Sequence, residues 1–125
     1  MIKYIMILLV TLFAVAFSQE KSVVNKDSIK TPIVTLVEIG SVKCIPCKKM
    51  QPILKEIEDE FGDRVEVIFH DIWTTKGKID AREYNVRLIP TQVFLDSTGK
   101  EYFRHEGFFP KKNILKKLAE KGLEN

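Results

Sequence analysis

From Ile33 to Ile39 the chain reads Ile-Val-Thr-Leu-Val-Glu-Ile, a nearly unbroken apolar run that stops at Gly40. A strand with one wet face alternates apolar and polar residues, whereas a run like this suits a strand covered on both faces. Helices must therefore lie on each side of a sheet with this strand near its middle. Shortly after Gly40 the period changes. Met50, Ile53, Leu54, Ile57 and Phe61 recur at the three-and-four spacing of one helix face, and Gly62 follows as a stop. Pro52 inside that stripe is expected to kink the helix, because it removes a backbone donor.

The later elements are shorter. Val65 to Phe69 reads as a second strand, and Lys78 to Tyr84 as a short helix with Ile79 and Tyr84 facing inward. Thr91–Leu95 and Glu101–His105 flank Asp96-Ser97-Thr98-Gly99-Lys100, a hairpin signal. Pro110 suits the first turn of a last helix, with Ile114, Leu115 and Leu118 inside, lysines 111, 112, 116, 117 and 121 in solvent, and Gly122 at its end. Phe108 and Phe109 are expected to pack into the core, with a share of the pair available as an apolar rim for substrates. The order β-α-β-α-β-β-α describes an α/β sandwich around a mixed sheet.

Residues 1–18 stand apart. Lys3 is their only charge, and Tyr4 to Phe17 is apolar except for Thr11. A basic start, a short apolar stretch and the small-residue exit Ala16-Phe17-Ser18 describe a secretory signal cleaved before Gln19, with Ala14-Val15-Ala16 as an alternative site. Retention as a membrane anchor is the competing reading; about 14 residues of helix span only about 21 Å, short of a bilayer core of roughly 30 Å. Residues 19–31 are polar and read as a linker or a frayed first strand, leaving 32–125 as the domain. The expected location is extracytoplasmic, periplasmic or secreted. A formal charge of only +3 is not that of a dedicated nucleic-acid binder, and no nucleic-acid partner is expected. No heptad seam or long exposed apolar stretch remains, so a monomer is expected.

The chain has two cysteines, too few for a disulfide-stapled scaffold or a four-thiolate zinc site. Cys44 and Cys47 stand three apart, where the buried strand gives way to the helix. A helix N-terminus offers unpaired N–H groups and a positive dipole end, which favour thiolate. Cysteines so placed reach pKa values of roughly 3.5–7.5 against about 8.5 when free. Lys43, Lys48 and Lys49 add positive charge. A disulfide closing so short a loop stabilises little and exchanges readily, which suits a carrier of two electrons better than a staple. Lys48 excludes haem attachment, which needs His there. A zinc or copper site of Cys44, Cys47, His70 and His105 lacks the usual ligand spacing, and an inert structural disulfide is the remaining alternative.

From Pro32 to Leu118 the chain resembles the thioredoxin family. Gly40-Ser41 leads into Cys44-Ile45-Pro46-Cys47-Lys48, Pro52 follows the first cysteine by eight residues, Ile89-Pro90-Thr91 precedes a strand, and Gly107 precedes the last helix. The resemblance implies a thioredoxin fold, a central mixed β-sheet flanked by helices. It implies that Cys44 is the exposed nucleophile, Cys47 the buried resolving thiol, and Glu38 the acid that manages its proton. A carboxyl within such an apolar strand should be desolvated and its pKa raised; the alternative is a strand-end Glu38 paired with a lysine. Pro90 would be cis, and Ile45, Pro46, Ile89, Pro90 and Thr91 would receive an extended substrate segment, as in strand addition. No metal and no cofactor beyond the Cys44–Cys47 disulfide is implied.

Three departures accompany the resemblance. Lys43 stands where the family usually has Trp, Phe69 replaces a strand-end lysine, and little chain is left for the N-terminal strand and helix. Trp73, in the loop after the second strand, has two expected places, packed near the active site or capping the sheet. The implied activity is protein-disulfide reduction outside the cytoplasm, with a membrane electron donor and protein thiols and disulfides as partners. The alternatives are a disulfide oxidase or isomerase of exported proteins, and a non-enzymatic metal carrier.

Overall fold

The computed structural model describes residues 30–124, so the expected signal and nearly all of the expected linker lie outside the described residues. Four strands and three helices follow one another: β1 (Val34–Gly40), α1 (Ile45–Phe61), β2 (Val65–Asp71), α2 (Thr75–Glu83), β3 (Thr91–Asp96), β4 (Glu101–Glu106) and α3 (Lys111–Ala119). The sheet order is β2-β1-β3-β4, with β1 and β2 parallel and the other neighbours antiparallel. Among the described residues, no helix is long and apolar enough to cross a membrane.

The central strand is covered on both faces. Val34 and Leu36 pack with Met50, Leu54, Ile57 and Phe61 of α1 and with Ile114 and Leu118 of α3. Val37 and Ile39 turn the other way, onto Ala81 and Tyr84 beside α2. The sheet is therefore a middle layer, with α1 and α3 on one side and α2 on the other. Lys111 ties α3 to α1 through Glu56 and Glu60 at 2.9 and 3.0 Å. Pro52 lies inside α1.

Several boundaries and faces differ from the sequence reading. β2 continues to Asp71, because backbone pairing with β1 persists to the partners Gly40 and Asp71. α2 begins at Thr75 because the Thr74 hydroxyl caps it, accepting from Gly77 N–H at 2.9 Å. Its inward stripe is Gly77, Asp80, Ala81 and Tyr84, which leaves Ile79 half exposed at 50%. Gly77 must be glycine, since a Cβ there would overlap the Asp71 carbonyl. Pro110 is the N-cap of α3 rather than part of its first turn. The Phe108-Phe109 pair divides between the two expected places, Phe109 buried in the core and Phe108 exposed.

Candidate active site

The end of β1 sets up the cysteine pair. Buried Ser41 accepts from the Lys43 N–H through its hydroxyl at 3.0 Å and from the Cys44 N–H through its carbonyl at 3.3 Å. This turn delivers Cys44 as the N-cap of α1, where its Sγ accepts from the Cys47 N–H at 3.3 Å. The two cysteines form a disulfide. Their surroundings differ sharply: Cys44 is partly exposed, whereas Cys47 is fully buried. Ile45 and Pro46 between them are exposed. A Cβ at Gly40 would lie 3.2 Å from Cys47 Sγ and 3.3 Å from the Phe69 ring, so glycine lets Cys47 settle against the strand.

Glu38 lies two residues before Gly40 on the same face of β1. It is fully buried, and its in-row neighbours are Phe69 on β2 and Gln92 on β3. Among the described residues, no lysine pairs with it. Gln92 Nε2 donates to Glu38 Oε2 at 2.9 Å. Burial pushes the Glu38 pKa from 4.5 to about 8, against the opposing pull of the Gln92 bond. This carboxyl therefore exchanges its proton just above neutral pH rather than in acid.

The register that pairs Ile39 with Thr91 places Pro90 at the sheet end where β1 departs for Cys44. The Ile89–Pro90 bond is cis, and the Pro90 carbonyl accepts from Gly107 N–H at 2.7 Å. Ile89 is partly exposed, and its backbone takes part in none of the hydrogen bonds among the described residues. Pro90 and Thr91 depart from the expectation of direct substrate contact: both are buried, and the Thr91 hydroxyl donates to the Leu88 carbonyl at 2.7 Å, bracing the loop from within.

Of its two expected places, Trp73 takes the one near the active site. The Lys43 ammonium lies 5.1 Å from the centre of its ring, so the indole stands beside the cysteine loop, 62% exposed, rather than capping the sheet. The two histidines are not brought together with the cysteines as a metal site would require. His70 is on the α2 face of the sheet, 2.7 Å from Asp80, opposite to the face Cys47 packs against. His105 stacks on Phe109 with ring centres 4.3 Å apart.

A layered sheet of this order, with a cis-proline loop beside a buried-and-exposed cysteine pair at a helix N-terminus, has relatives. The family model described as "Thioredoxin-like domain" matches residues 19–122. The chain belongs to the thioredoxin-like family. Thioredoxin from Mycolicibacterium smegmatis is 31% identical over 102 residues, 78% of this chain and 90% of that protein. The chloroplastic thioredoxin Y of Oryza sativa subsp. japonica is 33% identical over 83 residues, 66% of this chain. This chain spans about half of that relative's length, 48%. The solved structure of chloroplastic thioredoxin z superposes with a TM-score of 0.63 over 71% of this chain and 78% of that one, at 23% identity, a likeness of fold.

Within this thioredoxin-like chain, the cysteines, Glu38 and Pro90 converge on one end of the sheet. Two residues that the sequence reading passed over join them. Gln92 is the partner of Glu38, and a lone amide in the otherwise apolar Val93-Phe94-Leu95 strand was the available signal. Ser41 shapes the turn into Cys44, signalled only by its place between Gly40 and the first cysteine.

Proposed function

We propose that this thioredoxin-like protein is an extracytoplasmic protein-disulfide reductase in which Cys44 attacks and Cys47 resolves. The observation that carries the reading is the unequal exposure of the pair, one sulfur within reach of a partner and the other sealed beneath it. In the reduced protein, the Cys44 thiolate attacks one sulfur of a substrate disulfide. The S–S bond breaks, one substrate thiolate leaves and takes a proton, and a mixed disulfide forms. Cys47 then gives its proton to the Glu38 carboxylate and attacks the Cys44 sulfur, expelling the second substrate thiolate. Two electrons have passed to the substrate and the Cys44–Cys47 disulfide remains, the state seen in the structure.

Ile45, Pro46 and Ile89 would receive the substrate as an extended segment, with the unused Ile89 backbone as its partner and buried Pro90 shaping the loop behind it. The cysteines themselves carry the electrons, so the reaction calls for no added cofactor. Export is supported by the composition of residues 1–18, and a protein working there as a monomer needs a membrane donor to re-reduce it. Pro46 before the second cysteine and Ile89 before the cis-proline resemble reducing members of the family.

The deciding measurement is the equilibrium reduction potential of the pair in defined thiol buffers. A reductant should lie near about −270 mV, whereas a value near about −120 mV would make the protein an oxidant of exported chains. Cys44→Ser should abolish disulfide reduction, and Cys47→Ser should accumulate the mixed disulfide. The reverse pattern would overturn the assignment of roles.

A further inference from the structure

We propose that Gln92 is the positioning residue of the redox site: its amide fixes Glu38 through one carboxyl oxygen and reserves the other as the proton-carrying atom. The inference rests on the reading of Glu38 as the acceptor of the Cys47 proton. Three observations support it. Glu38 and Gln92 are direct cross-strand partners in the β1–β3 register, and both are fully buried. One bond joins them, from Gln92 Nε2 to Glu38 Oε2 at 2.9 Å. The two remaining oxygens, Glu38 Oε1 and Gln92 Oε1, are buried without a hydrogen-bond partner among the described residues.

Among the described residues, no cation compensates the carboxylate. β2 presents Phe69 to it, β3 presents Gln92, and α1 packs the uncharged Cys47 onto the same strand face. Beyond Gln92 in the same row, the next titratable side chain is His105 on β4, stacked on Phe109. Burial and the amide bond are thus the two influences on the acid, and they oppose each other. An N–H donor bonds an ionised carboxylate more strongly than a neutral one, so Gln92 favours the form able to take a proton from Cys47. With Oε2 engaged, that proton enters at Oε1, and the balance is one proton lost by the thiol and one gained by the acid.

The test combines a measurement on the unaltered protein with one substitution. In the unaltered protein, the Gln92 side-chain amide resonances and the Glu38 carboxyl carbon should titrate with one common midpoint. An amide signal that ignores the Glu38 titration would overturn the proposal without any variant. Gln92→Met keeps the length of the side chain and removes the donor. In it the Glu38 midpoint, and the pH profile of mixed-disulfide resolution, should move up by about one to two pH units, slowing resolution at neutral pH about tenfold or more. A Glu38 midpoint unmoved in a folded Gln92→Met protein would overturn it equally. Glu38→Gln separates the two readings. If it leaves the pH profile of resolution unchanged, Glu38 is not the proton acceptor, while the carboxyl titration still judges Gln92. If it changes the profile and Gln92→Met does not, Gln92 is only packing.

Discussion

A carboxyl at the centre of a strand buried on both faces is a residue that folding alone would not retain. For Glu38 the unfolded chain gives up its proton near 4.5, whereas the folded chain holds it up to about 8. Between those values the folded state binds more protons than the unfolded one, so stability falls as pH rises through the window. The loss should be on the order of 3–5 kcal/mol across it. Glu38→Gln should lack that component, and urea unfolding at a series of pH values would show it. An unchanged pH slope in the variant would mean that Glu38 ionises in the native state as easily as in water. Glu38 thus carries a stability cost at the pH where its chemistry is useful.

At the scale of elements, the start of α2 depends on a single hydroxyl. Thr74 Oγ1 accepts from Gly77 N–H at 2.9 Å and donates to the Asp71 carbonyl at 2.8 Å, joining the helix to the end of β2. Thr74→Ala should cost about 1 kcal/mol in chemical denaturation. Faster amide exchange should be confined to the first turn of α2; uniform acceleration across the sheet would show that the cap is not a local device. This helix also shows where sequence patterning loses its hold. β1 and α1 could be read because their burial follows a period in large apolar residues. α2 packs through Gly77 and Ala81, which carry little hydrophobic signal, while Ile79 stands in solvent. The site divides in the same way. Cys44, Cys47 and Pro90 could be read from local spacing and family resemblance, but Gln92 acquires its role from a strand partner 54 residues away.

At the scale of the molecule, topology gathers apolar surface around the disulfide. The C-terminal ends of β1, β2 and β4 and the N-terminal end of β3 all lie at one end of the sheet. The segments leaving that end carry Val42 and Ile45, Trp73, Leu88 and Phe108, all exposed. Ile33 and Ile79 are the other large apolar side chains exposed among the described residues. A patch of this kind suits a protein surface more than a small thiol. Ile45→Ser should therefore lower kcat/KM for a protein disulfide roughly tenfold or more. Reduction of a small, soluble disulfide should be left nearly unchanged. Equal losses on both substrates would assign Ile45 to shaping the cysteine loop rather than to gripping a partner.

The Lys43–Trp73 stack has a practical meaning as well. The chain has one tryptophan, and its indole sits under an ammonium carried by the residue next to Cys44. Any event that shifts that loop, whether opening of the disulfide or arrival of a partner, changes the surroundings of the protein's single strong fluorophore. Turnover could then be followed in real time by emission alone, with no dye attached and no coupling enzyme added.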